Sequence, residues 1–249
     1  MKSAPAPDLQ PMTFGRPHAL LWATALVTPV LVWSGWQPYD RLTWLMEVLP
    51  VLIVWPVLWW TRRRFELTSL LYVWIGLHAM VLMVGGAYTY ARVPLGIEVA
   101  QWLGLQRNPY DKLGHFMQGW VPALAAREIL LRGGWVRGPR MLAFIVVCIA
   151  LAISAAYELI EWAAALWLGQ GADEFLGTQG DEWDTQSDMF FACLGAVAAL
   201  ALLTRRQDRQ IQALAYSISV RPAPETACAA RRPTPRRPAP PGSGPSDGS

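Results

Sequence analysis

Two glutamates, Glu158 and Glu161, stand within a long apolar stretch of the chain. Residues three positions apart share one face of a helix, so their carboxylates point the same way. Two adjacent carboxylates do not both stay ionised without a partner: one takes up a proton, or a cation lies between them. The pair therefore indicates acid–base chemistry, cation binding or an ion-pair network.

A histidine and further acids accompany this pair. Asp111 and His115 are four residues apart at the start of another apolar stretch, so they also share a helix face. The segment 169–188 carries several acids and no basic residue. We expect these segments to meet in one polar cluster. Its members are Asp111, Lys112, His115, Gln118, Glu158, Glu161, Asp181, Asp184 and Asp188.

Three roles stay open for this cluster. It could be an ion-pair network that pins helices together, because such networks perturb acids as active sites do. It could be a catalytic or metal site, in which acids and a histidine move protons or ligate the metal. It could also carry protons or cations across a membrane. The catalytic candidates are His115, Glu158 and Glu161, and the metal-ligand candidates are His115, Glu158, Glu161 and Asp188. No cofactor is predicted beyond a divalent cation held by these groups.

Other motifs of known chemistry are missing from the sequence. It contains no HExxH and no nucleophile elbow, and its glycines match no P-loop. The cysteines have no metal-binding spacing, so neither a disulfide framework nor a cysteine zinc site is expected. His78 stands alone in an apolar stretch, where we expect a hydrogen-bonded interhelical histidine. Glu47 lies at the start of another such stretch, where it can reach water.

The composition indicates the elements that must position these residues. Of the 249 residues, 53% are hydrophobic and 16% are charged, whereas a soluble domain has about 25% charged residues. The hydrophobic residues form blocks long enough to span a bilayer, which excludes an ordinary soluble enzyme and a disordered protein. We therefore predict an all-α polytopic membrane bundle of six transmembrane helices. The six blocks are 19–36, 44–60, 67–90, 113–131, 141–168 and 188–204.

The basic residues predict the orientation of this bundle. If the N-terminus is cytoplasmic, the outer segments hold only Arg41, Arg92, Arg107 and Lys112, and all other Lys and Arg residues lie inside. Both termini are then cytoplasmic, and the polar cluster faces the periplasm. The predicted domains are a disordered N-terminal tail at 1–18, the six-helix transmembrane domain at 19–204, and a basic, Pro/Arg-rich cytoplasmic tail at 205–249 that is mostly disordered.

Three runs of the sequence resemble the YjdF family of bacterial inner-membrane proteins. They are YDKLGHFMQGWVPALAAREILLR (110–132), AYELIEW (156–162) and GADEFLGTQGDEWDTQSDM (171–189). The resemblance covers roughly residues 35–210 and includes long ungapped motifs. It implies a multi-pass protein of the bacterial inner membrane and does not supply an activity.

A looser resemblance runs to the VanZ-like membrane proteins, which are associated with teicoplanin resistance. Their pattern has D-K-x-x-H at a helix start, then E-x-x-Q, then D-x-x-x-N-x-x-G. Glu161 stands where this pattern has Gln, and Ala192 stands where it has Asn. The resemblance implies a polar site built from three helix ends at the outer face. The matching residues are Asp111, Lys112, His115, Glu158, Asp188 and Gly195.

The sequence thus predicts an integral inner-membrane protein with an acidic, His-containing site at the periplasmic face. The first functional interpretation is a binding or envelope-related role without catalysis. The alternatives are a membrane-embedded enzyme acting on a lipid-linked or envelope substrate, and a cation- or proton-coupled transporter. The expected partners are the lipid bilayer and an envelope or lipid-linked ligand, and no nucleic acid is expected.

Reporter fusions test the predicted orientation. A cytoplasmic fluorescent reporter fused after Arg140 should be bright, and a periplasmic enzyme reporter fused after Gly180 should be active, because Arg and Lys retain their segments inside. An active periplasmic reporter after Arg140 would contradict the orientation.

Overall fold

The computed structural model describes residues 17–168 and 181–219, and within these ranges the chain forms seven α-helices and no β-strand. The predicted all-α class is confirmed. Most of the predicted N-terminal tail, part of the acidic segment and residues 220–249 lie outside the described residues. The helices are α1 (Pro17–Trp36), α2 (Arg41–Thr61), α3 (Ser69–Tyr88), α4 (Pro94–Leu103), α5 (Tyr110–Gly133), α6 (Pro139–Leu168) and α7 (Asp184–Ser219).

Five of these helices, α1, α2, α3, α6 and α7, are long and apolar enough to cross a membrane. The exception among the predicted spans is α5, which carries charged groups at both ends, among them Asp111 and Glu128. α5 packs against α3, α6 and α7. A helix that its neighbours shield from lipid needs less apolar surface, so its polar composition fits a central position.

The closest helix packing joins α5 to α7 through small residues. A Cβ atom on Gly119 would collide with the carbonyl group of Ala192, and one on Gly195 would collide with the carbonyl group of Phe116. Ala196 is fully buried in the same contact region. Small side chains let two backbones approach closely in a membrane, where van der Waals packing largely drives helix association.

Two helices depart from the predicted boundaries. The predicted outer loop at 92–112 contains α4, a short helix whose Trp102 side chain is 90% exposed. α7 runs to Ser219, past the predicted end of the last span at 204. The extension packs on α5, because Gln207 is fully buried and accepts a hydrogen bond of 3.0 Å from Arg127.

The antiparallel helices give the bundle two ends of different charge. We call them the acidic end, where Glu47, Asp111 and Asp188 lie, and the basic end, where the 62–64 arginines and Arg132 lie. At the basic end, α3 is tied to α5 by a fully buried carboxylate. Glu128 accepts hydrogen bonds from the Thr68 backbone N–H (2.9 Å), the Thr68 hydroxyl (2.7 Å) and Arg132 (2.9 Å).

The α5–α7 contact predicts the effect of one added methyl group. Gly195→Ala should lower the thermal stability of the purified protein, because its Cβ has no room between the backbones. Gly76→Ala is the matched control, since a Cβ there meets its nearest neighbour, the Ala23 Cβ, at 3.7 Å. Thermal unfolding in one detergent measures both variants, and equal stabilities would contradict the packing.

Candidate functional site

The start of α5 is fixed by a buried asparagine. Asn108 donates hydrogen bonds of 3.0 Å to the carbonyl oxygens of Ala91 and Val93, and its side-chain oxygen accepts one of 3.0 Å from the Tyr110 backbone N–H. These bonds tie the segment after α3 to the first turn of α5. They therefore set the position of Asp111 and of the polar residues that follow on the same helix.

A lysine on α5 pairs with two acids on α7. The Lys112 ammonium group donates hydrogen bonds to Asp184 (2.8 Å) and Asp188 (2.7 Å), and both carboxylates are buried. Arg107 also pairs with Asp184 at 2.7 Å and with Asp181. The first turn of α7 is thus joined to α5 by charge-assisted hydrogen bonds, which are stronger than neutral ones.

Asp181 lies just before α7, at the outer edge of these ion pairs. Its carboxylate accepts a hydrogen bond of 2.9 Å from the backbone N–H of Trp183. This bond, together with the positive charge of Arg107, lowers the pKa of Asp181 below its ordinary value. The carboxylate is therefore a stable anion at neutral pH.

His115 lies between acids from three helices. Its Nε2 atom is 3.5 Å from Asp111 Oδ1 and 3.7 Å from Asp188 Oδ1. Its Nδ1 atom is 3.2 Å from Gln118 Oε1 and 3.7 Å from Glu158 Oε1. All four neighbours are acceptor oxygens, so the ring can donate from either nitrogen.

One group of these residues has the geometry of a cation site. Asp111, His115 and Asp188 each offer a ligand atom, and these atoms lie within 4.8 Å of one another. The predicted ligand candidates included Glu158 and Glu161 in place of Asp111. Glu158 lies on the other side of the imidazole and is only 8% exposed, and its Oε1 atom has no hydrogen-bond partner among the described residues.

The polar cluster borders a cavity of about 360 Å³ between α2, α3, α5 and α6. This volume falls in the range of small-molecule pockets, about 300–1,000 Å³. The polar groups lie at the acidic end of the bundle, and the deeper walls are mainly apolar. The polar lining consists of Glu47, Tyr90, Asp111, His115, Tyr157 and Glu161 near the acidic end, with His78 and Gln118 deeper. The apolar lining includes Val51, Val54, Trp55, Ile75, Ala79, Leu82, Val121 and Ile153.

The two glutamates that the sequence pairs on α6 have different surroundings. Glu158 lies beside His115, whereas Glu161 lines the cavity. Within residues 17–168 and 181–219, Glu161 has neither a hydrogen bond nor an ion pair. The cavity thus receives a carboxylate that no described group neutralises by direct contact.

Three cavity residues differ from the expectation or were missed. Glu47, expected to reach water, is buried and accepts a hydrogen bond of 3.1 Å from the Tyr157 hydroxyl. His78, expected to be hydrogen-bonded, has a buried Nε2 atom without such a partner in the described part of the chain. Tyr90, which the sequence did not single out, also lines the cavity. An acid in an apolar block was the signal available for Glu47.

Removing the lysine of the cluster should destabilise the fold. Lys112→Met leaves Asp184 with Arg107 alone and Asp188 without a hydrogen-bonding cation, and breaking a buried pair typically costs about 3–5 kcal/mol. We expect a lower melting temperature and less monodisperse protein in size-exclusion chromatography. Arg41→Met is the control, because it removes an exposed cation at the same end. Equal behaviour of the two variants would contradict the structural role of Lys112.

Comparison with known proteins places this architecture in a family. Residues 19–209 match the family described as predicted membrane protein (DUF2238). The chain is 62% identical over 197 residues to the Inner membrane protein YjdF of Escherichia coli (strain K12), a match that covers 79% of this chain and 94% of that protein. No solved structure matches. The looser resemblance to VanZ-like proteins stays a prediction. The resemblance to the YjdF family is confirmed, and the chain belongs to the YjdF (DUF2238) family of integral membrane proteins.

Proposed function

We propose that this protein binds an envelope component at its acidic, His-containing site, that the site faces the periplasm, and that binding involves no catalysis. The observation that carries the proposal is the cavity at the acidic end. Its polar lining includes Glu161, which has no ion pair within the described residues. A partly buried carboxylate without a cationic partner either takes up a proton or attracts a cation, so a ligand that supplies a donor or a positive charge has a partner here.

The side of the membrane that the site faces follows from the orientation of the bundle. We propose six spans, with α5 as the sixth, and both termini in the cytoplasm of a bacterium. The excess of Arg and Lys at the basic end supports this orientation. Inner-membrane localisation is supported by the name of the E. coli relative. The acidic end is then periplasmic, and the cavity is accessible from that side.

A membrane-embedded enzyme is the second candidate, and one observation favours it. Asp111, His115 and Asp188 could together hold a divalent cation, which would polarise a lipid-linked or envelope substrate. The Lys112 ammonium group weighs against a cation there, because it lies 2.7 Å from the Asp188 oxygen that faces His115. A lysine and a metal ion at the same oxygen repel each other. We therefore rank binding above catalysis.

A cation- or proton-coupled transporter is the third interpretation. Transporters of this kind often carry broken helices near the bilayer midplane. Two consecutive glycines in α3, Gly85 and Gly86, could break that helix, but α3 continues as a helix to Tyr88. Gly85 and Gly86 instead make room for Tyr90 and for the start of α2. Transport thus has less support than binding.

A thermal-shift experiment tests the binding proposal. A ligand that binds only the folded state stabilises it, by about 2.7 kcal/mol at one hundred times its Kd. A total lipid extract or, separately, a periplasmic extract should raise the melting temperature of the wild-type protein. Glu161→Gln should itself be tolerated, because the amide matches the size of the carboxyl group and leaves no buried charge, and it should weaken the shift.

The control variant is Glu98→Gln, which removes an exposed carboxylate on α4. It should keep the full shift. If no extract shifts the wild type, or if both variants respond alike, binding at this site is contradicted. The enzyme alternative predicts a different response: a chelator should lower the melting temperature of the wild type but not of His115→Ala.

A further inference from the structure

We propose that the cavity takes the hydrocarbon chain of an amphiphile that enters from the bilayer between α2 and α6, and that its headgroup is cationic. The proposal rests on the proposed binding function and specifies its ligand. It follows from the shape of the cavity, from its exposure between two helices and from the charges of its lining.

The cavity is open towards the lipid between α2 and α6. α2 packs mainly on α3, and α6 packs on α5 and α7. α2 and α6 therefore face each other across the cavity with few contacts, among them the hydrogen bond between Glu47 and Tyr157 at the acidic end. Val54 on α2 and Ile153 on α6 both line the cavity and are 39% and 41% exposed. Val121, on the opposite wall, is 6% exposed. The difference indicates an opening at the α2–α6 side.

The cavity is also deep enough for the hydrocarbon chain of an amphiphile. On α5 its lining extends from Asp111 to Ala125, which at 1.5 Å per residue is about 21 Å along the helix. The hydrocarbon core of a bilayer is about 30 Å thick. A chain in the cavity therefore lies parallel to the surrounding lipid tails, with its head at the acidic end.

The charge of the cavity lining selects the headgroup of the amphiphile. The ionisable groups that line the cavity are three carboxylates and two histidines, namely Glu47, Asp111, Glu161, His78 and His115. The basic groups nearby, Arg107 and Lys112, bind the acids of α7, and Lys112 also lies 3.7 Å from Asp111. His115 lies 3.5 Å from Asp111 as well. Within the described residues, the lining carboxylates without a basic group at salt-bridge distance are therefore Glu47 and Glu161. An ammonium group can donate hydrogen bonds to both of these carboxyl groups and is attracted by the one that is ionised, whereas a phosphate is repelled by that charge.

The hydrocarbon chain of the ligand supplies little binding selectivity by itself. Lipid tails are as apolar as the leucine and valine side chains of the walls, so moving a chain from lipid to cavity has no hydrophobic driving force. The binding preference must therefore come from the headgroup. This makes the charge of the head the variable to test.

Photolabelling in nanodiscs of phosphatidylcholine tests the proposal on the full-length wild type. Three probes carry a diazirine at the end of the same alkyl chain and differ in the head: an amine, an alcohol and a phosphate. The amine probe should label the buried residues Ile75 and Val121, located by peptide mass spectrometry. We expect about tenfold more labelling there than with the phosphate probe, a ratio that corresponds to about 1.4 kcal/mol.

Two matched valines on α2 test whether the amphiphile enters between α2 and α6. Val54→Trp should reduce labelling of Val121, because the indole obstructs the opening. Val57→Trp is the control: Val57 is similarly exposed at 46% and does not line the cavity. Glu47→Gln combined with Glu161→Gln should bring the amine and alcohol probes to equal labelling. The three-probe comparison on the wild type needs no substitution and stays decisive if a variant fails to fold.

Each outcome has one meaning. Equal labelling by the three probes would contradict the preference for a cationic headgroup. Labelling confined to lipid-facing residues would contradict binding of the hydrocarbon chain in the cavity. Equal effects of Val54→Trp and Val57→Trp would overturn access between α2 and α6. If the thermal shift depends on Glu161 while no probe labels Val121, only this inference fails. If the thermal shift is also missing, the proposed binding function fails with it.

Discussion

The arrangement of the acidic end depends on the position of one ammonium group. Lys112 forms ion pairs with Asp184 and Asp188 at once, and both carboxylates are buried. Without a cation at this point, α7 could not begin beside α5, because each unpaired charge inside a membrane costs several kcal/mol. The glycine and alanine contacts further along the two helices then become available. The ion pairs thus set the register in which Gly119 meets Ala192 and Gly195 meets Phe116.

The same ion pairs divide the polar residues into two groups. Those that face α7 are paired with Lys112 or Arg107, which is the behaviour of a structural network. Of those that line the cavity, Asp111 lies 3.7 Å from Lys112, whereas Glu47 and Glu161 have no cation in direct contact within the described residues. The structural and the functional interpretations of the cluster therefore apply to different members. His115 belongs to both groups, since one edge of its ring faces Asp188 and the cavity also reaches it.

The sequence predicts those features that depend on local spacing. The four-residue step from Asp111 to His115 and the apolar blocks of α1, α2, α3, α6 and α7 are of this kind. The partner of Glu47 was out of reach, because Tyr157 is 110 positions away and only packing brings them together. α4 was missed because its ten residues are too few for a membrane block. The end of α7 was misplaced because its arginines resemble a tail, whereas Gln207 is buried against α5.

The two ends of the bundle show how a membrane protein treats buried charge. At the basic end Glu128 is fully buried, and its two oxygens are satisfied by a backbone N–H, a hydroxyl and a guanidinium group. The chain is thus able to satisfy a carboxylate completely where it serves only to join helices. At the acidic end it leaves Glu161 in the cavity wall and Glu158 Oε1 without a hydrogen bond in the described structure. Unsatisfied groups of this kind persist mainly where function requires them. The contrast between Glu128 and Glu161 therefore points to the cavity, rather than to the ion pairs on α7, as the functional part of the acidic end.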